Sequence, residues 1–223
     1  MSELFSIQLQ NRQQQGRDGV WLDLPTTTEQ VQAALRQIGI SSDNPQGLFI
    51  SGYFAEEEKR IAIPYNMVLA SNVDELNFLA SRLETLSAGE RAELNAALQA
   101  PQSELSSIGK ITDFPENVDY YVHLPEVHGP AQLGDYYLNR SGMVDMPEEW
   151  KGGIDTAQFG RYVAQQEQGA FTQYGYLVKS GDEWQKVHEG QLVPEEYRVL
   201  SFPAPKVLRD TANIPPPMQS EPQ

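Results

Sequence analysis

Residues 72–99 constrain the fold of this chain more than any other stretch. They contain no proline and are rich in Leu, Ala and Glu, the composition that helices favour, so strands are not expected there. Val73, Leu76, Leu79, Ala80, Leu83 and Leu86 recur at helical spacing behind Asn72, whose side chain suits an N-cap. Ser87 followed by Glu90 is a capping box, which opens a second helix over residues 91–98, and Pro101 stops it. A short helical turn is expected around residues 105–108. Any strands must then fall into two groups, one on each side of this helical segment.

The first group is legible by alternation. Phe5, Ile7 and Leu9 share one face, and after a polar turn Val20, Leu22 and Leu24 do the same, which predicts paired strands. Pro25 closes the second strand, Thr26 to Thr28 offer N-caps, and Val31, Ala34, Leu35 and Ile38 make a helical stripe that ends at Gly39. Residues 47–54 and 61–63 read as further strands. The second group opens at residues 120–125, where Val122 and Leu124 precede a proline as Leu22 and Leu24 precede Pro25. A helix over Leu133, Tyr136, Tyr137 and Leu138 follows, running to Gly142. These matched instances fit an internal pseudo-repeat and fit coincidence equally well.

Asp155 stands where an N-cap belongs, with Gln158 at the capping-box position. Phe159, Tyr162, Val163 and Gln166 recur at helical spacing, and Gly169 is expected to end the helix in the left-handed conformation. Gly160 lies inside that helix, where glycine costs about 1 kcal/mol relative to alanine, so a close backbone approach is expected at it. Phe171, Tyr174, Tyr176 and Val178, with Gly175 among them, predict one twisted or bulged strand. Residues 183–187 and 197–200 predict two more. The fold class expected is α+β, an elongated chain of three small units: 1–70 (α+β), 71–115 (helical) and 116–202 (α+β). Beyond it, residues 203–223 carry six prolines and too little apolar surface to order, so a disordered tail is expected.

Composition narrows the function. The absence of cysteine excludes disulfides, thiolate nucleophiles and cysteine-bound metals. No run approaches the length of a membrane span and the N-terminus has no leader-like pattern, so a cytoplasmic protein without membrane contact is expected. A net charge of −15, from 31 acids against 16 bases, opposes direct binding to nucleic acid. The excess is spread out: 8 acids and 5 bases in residues 1–70, 7 and 3 in 71–115, 14 and 6 in 116–200, and 2 and 2 in 201–223. No HExxH, GxSxG, Walker or GxGxxG pattern is present. His123 and His128 are five positions apart, which fits neither a helix face nor a strand face, so neither a metal nor a cofactor is expected.

A dispersed acidic surface has a physical use. DNA carries one negative charge per roughly 1.7 Å of axis, and carboxylates three or four positions apart on a helix lie about 5–6 Å from one another. Rows of them imitate phosphates and compete for the basic groove of a DNA-binding enzyme. The candidates for such a surface are Asp74, Glu75, Glu84, Glu90, Glu93, Glu116, Asp119, Glu126, Asp135, Asp145, Glu148 and Glu149. Glu90 with Glu93 has the spacing, and so has Asp145 with Glu148 and Glu149 if that stretch is helical. Adjacent acids are also ordinary solvated faces.

Three places in the sequence resemble the ArdA-type antirestriction proteins. Gly19-Val20-Trp21-Leu22-Asp23-Leu24-Pro25 looks like the family's G-x-W-L-x-L-P opening. Val73-Asp74-Glu75-Leu76-Asn77 with Leu79 and Ala80 is similar to its ELN-x-LA helix. Ile154-Asp155, Phe159-Gly160-Arg161 and the stretch from Gly169 to Gly175-Tyr176 look like its ID-x3-YGR helix and closing F-T-x2-GY strand, with Phe159 in place of the usual Tyr. The resemblance spans about residues 5–178. It implies three small domains in a curved acidic molecule, a homodimer formed through the third, and inhibition of a Type I restriction-modification enzyme by occupation of its DNA groove. It implies no enzyme activity, metal or cofactor. Two other readings compete, a mimic aimed at another nucleic-acid enzyme such as a CRISPR effector, and a carboxylate-based hydrolase.

Overall fold

Alternation along the first apolar segment is what builds the first sheet. In the computed structural model, which describes residues 4–14, 18–56 and 60–203, Phe5, Ile7 and Leu9 of β1 (Phe5–Asn11) point to the core while their neighbours do not. β1 pairs antiparallel with β2 (Val20–Leu24) on one side and β3 (Leu48–Phe54) on the other, giving the order β2-β1-β3. Thr27 caps α1 (Thr28–Gln37) through a full capping box with Gln30, and Gly39 leaves it at φ +69°. Residues 61–63 do not form the expected strand. Ile61 and Ile63 are buried, but their segment is held by side chains: Asn95 Oδ1 accepts from Ala62 N at 2.7 Å and the Tyr53 hydroxyl donates to Ile61 O at 2.7 Å.

The proline-free stretch folds as α3 (Val73–Leu83) and α4 (Ala88–Gln99), preceded by α2 (Tyr65–Ala70) and followed by α5 (Ile108–Thr112). The capping box expected at Ser87 with Glu90 closes, and the expected N-cap Asn72 closes one as well, with Glu75. The turn expected at residues 105–108 is displaced, because the N-cap is Ser107, which accepts from Lys110 N at 3.3 Å. Leu76, Leu79 and Leu83 of α3 and Leu94 of α4 pack with Ile7, Leu9, Leu24 and Leu35 in one continuous core. That core extends to Phe114, Tyr121, Leu177 and Val199.

The second sheet has the order β4-β6-β5, all antiparallel, from β4 (Tyr121–Leu124), β5 (Ala170–Thr172) and β6 (Gly175–Lys179). The single bulged strand expected over residues 171–178 is instead a hairpin. Gly175 stands at φ +119°, and a Cβ there would meet the Leu124 carbonyl oxygen at 2.5 Å, so only glycine fits. β2 and β4 are both edge strands followed by proline and a helix. However, β2 pairs with the strand before it and β4 with β6 far downstream, so the two sheets do not repeat one topology.

Against this second sheet lie α6 (Pro130–Asn139) and α8 (Thr156–Glu167), with Val127, Leu133, Ala164 and Tyr176 forming a second, smaller core, and the short α7 (Glu148–Lys151) falls between the two helices in the chain. Asp155 caps α8, accepting from Gln158 N at 3.0 Å. Two details differ from expectation. The left-handed residue at the end of α8 is Gln168, at φ 55°, and Gly169 instead makes room for the Tyr176 ring. The buried face of α8 carries Gly160 and Ala164, whereas Tyr162 is 60% exposed.

Residues 183–187 and 197–200 are not strands either. Backbone N–H groups of Gln185, Val187, Val199 and Leu200 are taken by side chains from far along the chain. Asn117 Oδ1 accepts from Gln185 N at 2.7 Å, and the fully buried Asp113 accepts from Val187, His188 and Glu189. Asp74 Oδ1 accepts from both Val199 N and Leu200 N at 2.7 Å. The tail from residue 204 onward, and with it nearly all of the expected disorder, lies outside the described residues.

Candidate acidic interaction surface

Helix starts place several of the candidate acids. Asp74 and Glu75 sit in the first turn of α3, where carboxylates favour the unpaired backbone N–H groups. Asp74 is spent on residues 199–200, and Glu75 accepts from Asn72 N at 3.2 Å. Glu90 does the same for Ser87 N at 2.6 Å, and these hydrogen bonds to Ser87 hold its carboxyl below the usual range. Glu75 and Glu90 therefore close helix caps, and Asp74 ties residues 199–200 to the start of α3.

Others are paired with cations. Glu116 bonds Arg82, Asp135 lies 2.9 Å from Arg140, and Glu148 lies 3.0 Å from Lys151 on α7. Asn139 first, and then Arg140, lower the pKa of Asp135. Because α7 begins at Glu148, Asp145 lies outside it and the helical spacing considered for Asp145 with Glu148 and Glu149 does not arise. Glu90 and Glu93 do share α4. Glu84 lies just after α3 and is half-buried. Asp119, Glu126, Asp145 and Glu149 are exposed and make no side-chain hydrogen bond or ion pair with the described residues.

Glu93 differs from the rest. Its Oε1 is buried with no hydrogen-bond partner among the described residues. Burial first, and then repulsion from Glu90 and Asp119, push its pKa up to about 7. Sequence reasoning counted it as one more surface charge, since spacing alone carries no burial.

A two-carboxylate hydrolase would need convergent acids in a cleft. A cleft of about 510 Å³ between α2, α3, α5 and residues 188–193 is lined by Glu75 and Glu189, but Glu75 closes the α3 cap and Glu189 faces Lys186 at 3.4 Å. A second cleft, of about 470 Å³, has Glu167 as its one acid among the described residues. There Glu167 accepts from the Tyr176 hydroxyl at 3.0 Å and from the Tyr137 hydroxyl. Burial, followed by the Glu167 charge, raises the Tyr176 phenol. Nothing in the sequence pattern brought these three residues together. No group of three or more metal-ligating side chains is found among the described residues, and the His123 ring nitrogen lies 2.7 Å from the Tyr174 carbonyl oxygen.

No described helix is long and apolar enough to cross a membrane. No curated protein matches the chain. The sequence model of the antirestriction protein (ArdA) family matches residues 15–178, which run from β2 through most of β6 and include every candidate acid, with β1 lying before the match. The chain belongs to the ArdA family of antirestriction proteins.

Proposed function

We propose that this protein is a cytoplasmic, non-enzymatic DNA mimic that inhibits Type I restriction-modification enzymes by occupying their DNA-binding groove. The family match carries the reading. The net charge of −15 and the four exposed acids without a partner among the described residues support the mimicry, since a surface of this sign repels DNA itself and attracts the groove that binds it. No metal or cofactor enters the action. The working form is a homodimer built through the C-terminal part of the chain, where Met143, Trp150 and Tyr162 are 77%, 68% and 60% exposed and give a self-complementary surface apolar material to bury. The test is competition. Micromolar protein at low salt should displace DNA from a purified Type I enzyme in a gel-shift assay and block cleavage. Unchanged binding and cleavage would sink the proposal.

A further inference from the structure

The cleft between α2, α3, α5 and residues 188–193 does no work in the reading above. Its volume of about 510 Å³ falls in the range of ligand pockets. Phe78 and His188 line it, ring centroids 5.0 Å apart and edge to face at 85°. Met67 adds apolar wall, and Leu192, 86% exposed, stands at the lip. Among the described residues the charged side chains lining it are Glu75 and Glu189, and no Lys or Arg does so. Glu189 is brought there by the close approach of Gly109, where a Cβ would lie 3.1 Å from the Glu189 Cα. Lys186 lies 3.4 Å from Glu189, with its side chain 69% exposed and outside the lining.

This set selects its occupant by chemistry. An anion would meet two carboxylates, and a neutral apolar ligand would strip water from them without replacing their hydrogen bonds. A guanidinium satisfies both demands, with a flat face for the aromatic rings and a fork of donors for the carboxylates, and an aliphatic stem for Met67 and Leu192. An ammonium has the charge without the plane. We infer that this cleft is a docking pocket for a single arginine side chain of the protein partner. The inference rests on the proposed inhibition only for the source of that arginine, the basic groove of the target enzyme.

The test uses acetyl-Gly-Arg-Gly-amide and its citrulline counterpart, which keeps the shape and loses the charge. The chain has three histidines, so the ring signals of His188, His123 and His128 are separable by NMR and the last two, outside the cleft, serve as controls. The arginine peptide should shift the His188 signal saturably with a millimolar dissociation constant, and the citrulline peptide should not. In Glu75→Gln/Glu189→Gln the affinity should fall roughly tenfold through loss of charge-assisted contacts. Gln at position 75 still serves the capping box. If the double variant melts early, Glu189→Gln alone, which gives up an ion pair with exposed Lys186, makes the same comparison. No His188 shift, an equal shift with citrulline, or indifference to the charge removal overturns the inference. Such a failure beside intact inhibition of the enzyme leaves the proposed function standing. A bound arginine peptide without inhibition sinks only that function.

Discussion

Glu93 shows why acids on one helix are not equivalent. Glu90, one turn earlier, has its carboxylate occupied by the Ser87 cap and is held in the charged form. Glu93 has a buried oxygen with no partner among the described residues, and Glu90 and Asp119 add repulsion to the burial that lifts it to about 7. The folded state thus resists ionising Glu93, while the unfolded chain ionises it at the ordinary carboxylate value. As pH rises from about 4.5 toward 7 the unfolded state gives up its proton first, so stability contributed by neutral Glu93 is present below that window and lost through it. Glu93→Gln should therefore raise the melting midpoint at pH 8 and leave it little changed at pH 4.5, as followed by circular dichroism. An equal gain at both would place its origin in packing instead. Near neutral pH this residue therefore contributes less negative charge to the acidic field than Glu90 does.

At the scale of elements, the crossing of α6 and α8 depends on two glycines. A Cβ on Gly160 would overlap the Pro130 carbonyl oxygen and lie 2.8 Å from Gly134 N, and one on Gly134 would overlap the Thr156 carbonyl and lie 3.0 Å from the Thr156 Cα. In an open helix Gly→Ala gains about 1 kcal/mol of propensity. Here the obstructing atoms are backbone, which cannot swing aside, so Gly160→Ala should destabilise the protein. Gly160→Leu should do so by about 1–3 kcal/mol or more through overpacking. The sign for alanine is the informative result: a raised melting midpoint in thermal unfolding would contradict the contact. The glycine's odd placement was legible in sequence because propensity is local. So were Thr27, Asn72, Ser87 and Asp155, since a cap and its partner lie within three residues. The buried face of α8 was not, because the stripe through Tyr162 is set aside once small Gly160 and Ala164 allow closer approach. Nor were residues 183–187 and 197–200, whose apolar content reads as strand while Asp113, Asn117 and Asp74 take the N–H groups a sheet would have used. The same long-range bonds divide the candidate site: composition located its acids, but not which of them serve as caps, ion pairs or free surface.

For the whole molecule the relevant quantity is a field, and a field is shared. Removing one of many carboxylates from a protein at −15 changes little at a distance, whereas removing several acts on every approach trajectory. Asp119, Glu126, Asp145 and Glu149 are the suitable set, because they are exposed and carry no bond to the described residues whose loss would disturb the fold. Converting all four to Asn or Gln takes the net charge from −15 to −11. Under the proposed function, the association rate with a Type I enzyme, measured by stopped flow, should fall for this variant at about 50 mM salt. It should also decline less steeply as salt rises, since the Debye length shortens to about 8 Å near 0.15 M and screens what steering remains. Dissociation should change less, because rim charges act mainly on encounter. Each single substitution should be nearly silent. If one of them alone accounts for the whole effect, recognition runs through a specific contact and not through an imitation of the phosphate row; if the fourfold variant associates at the parental rate at low salt, these acids lie away from the face that meets the enzyme.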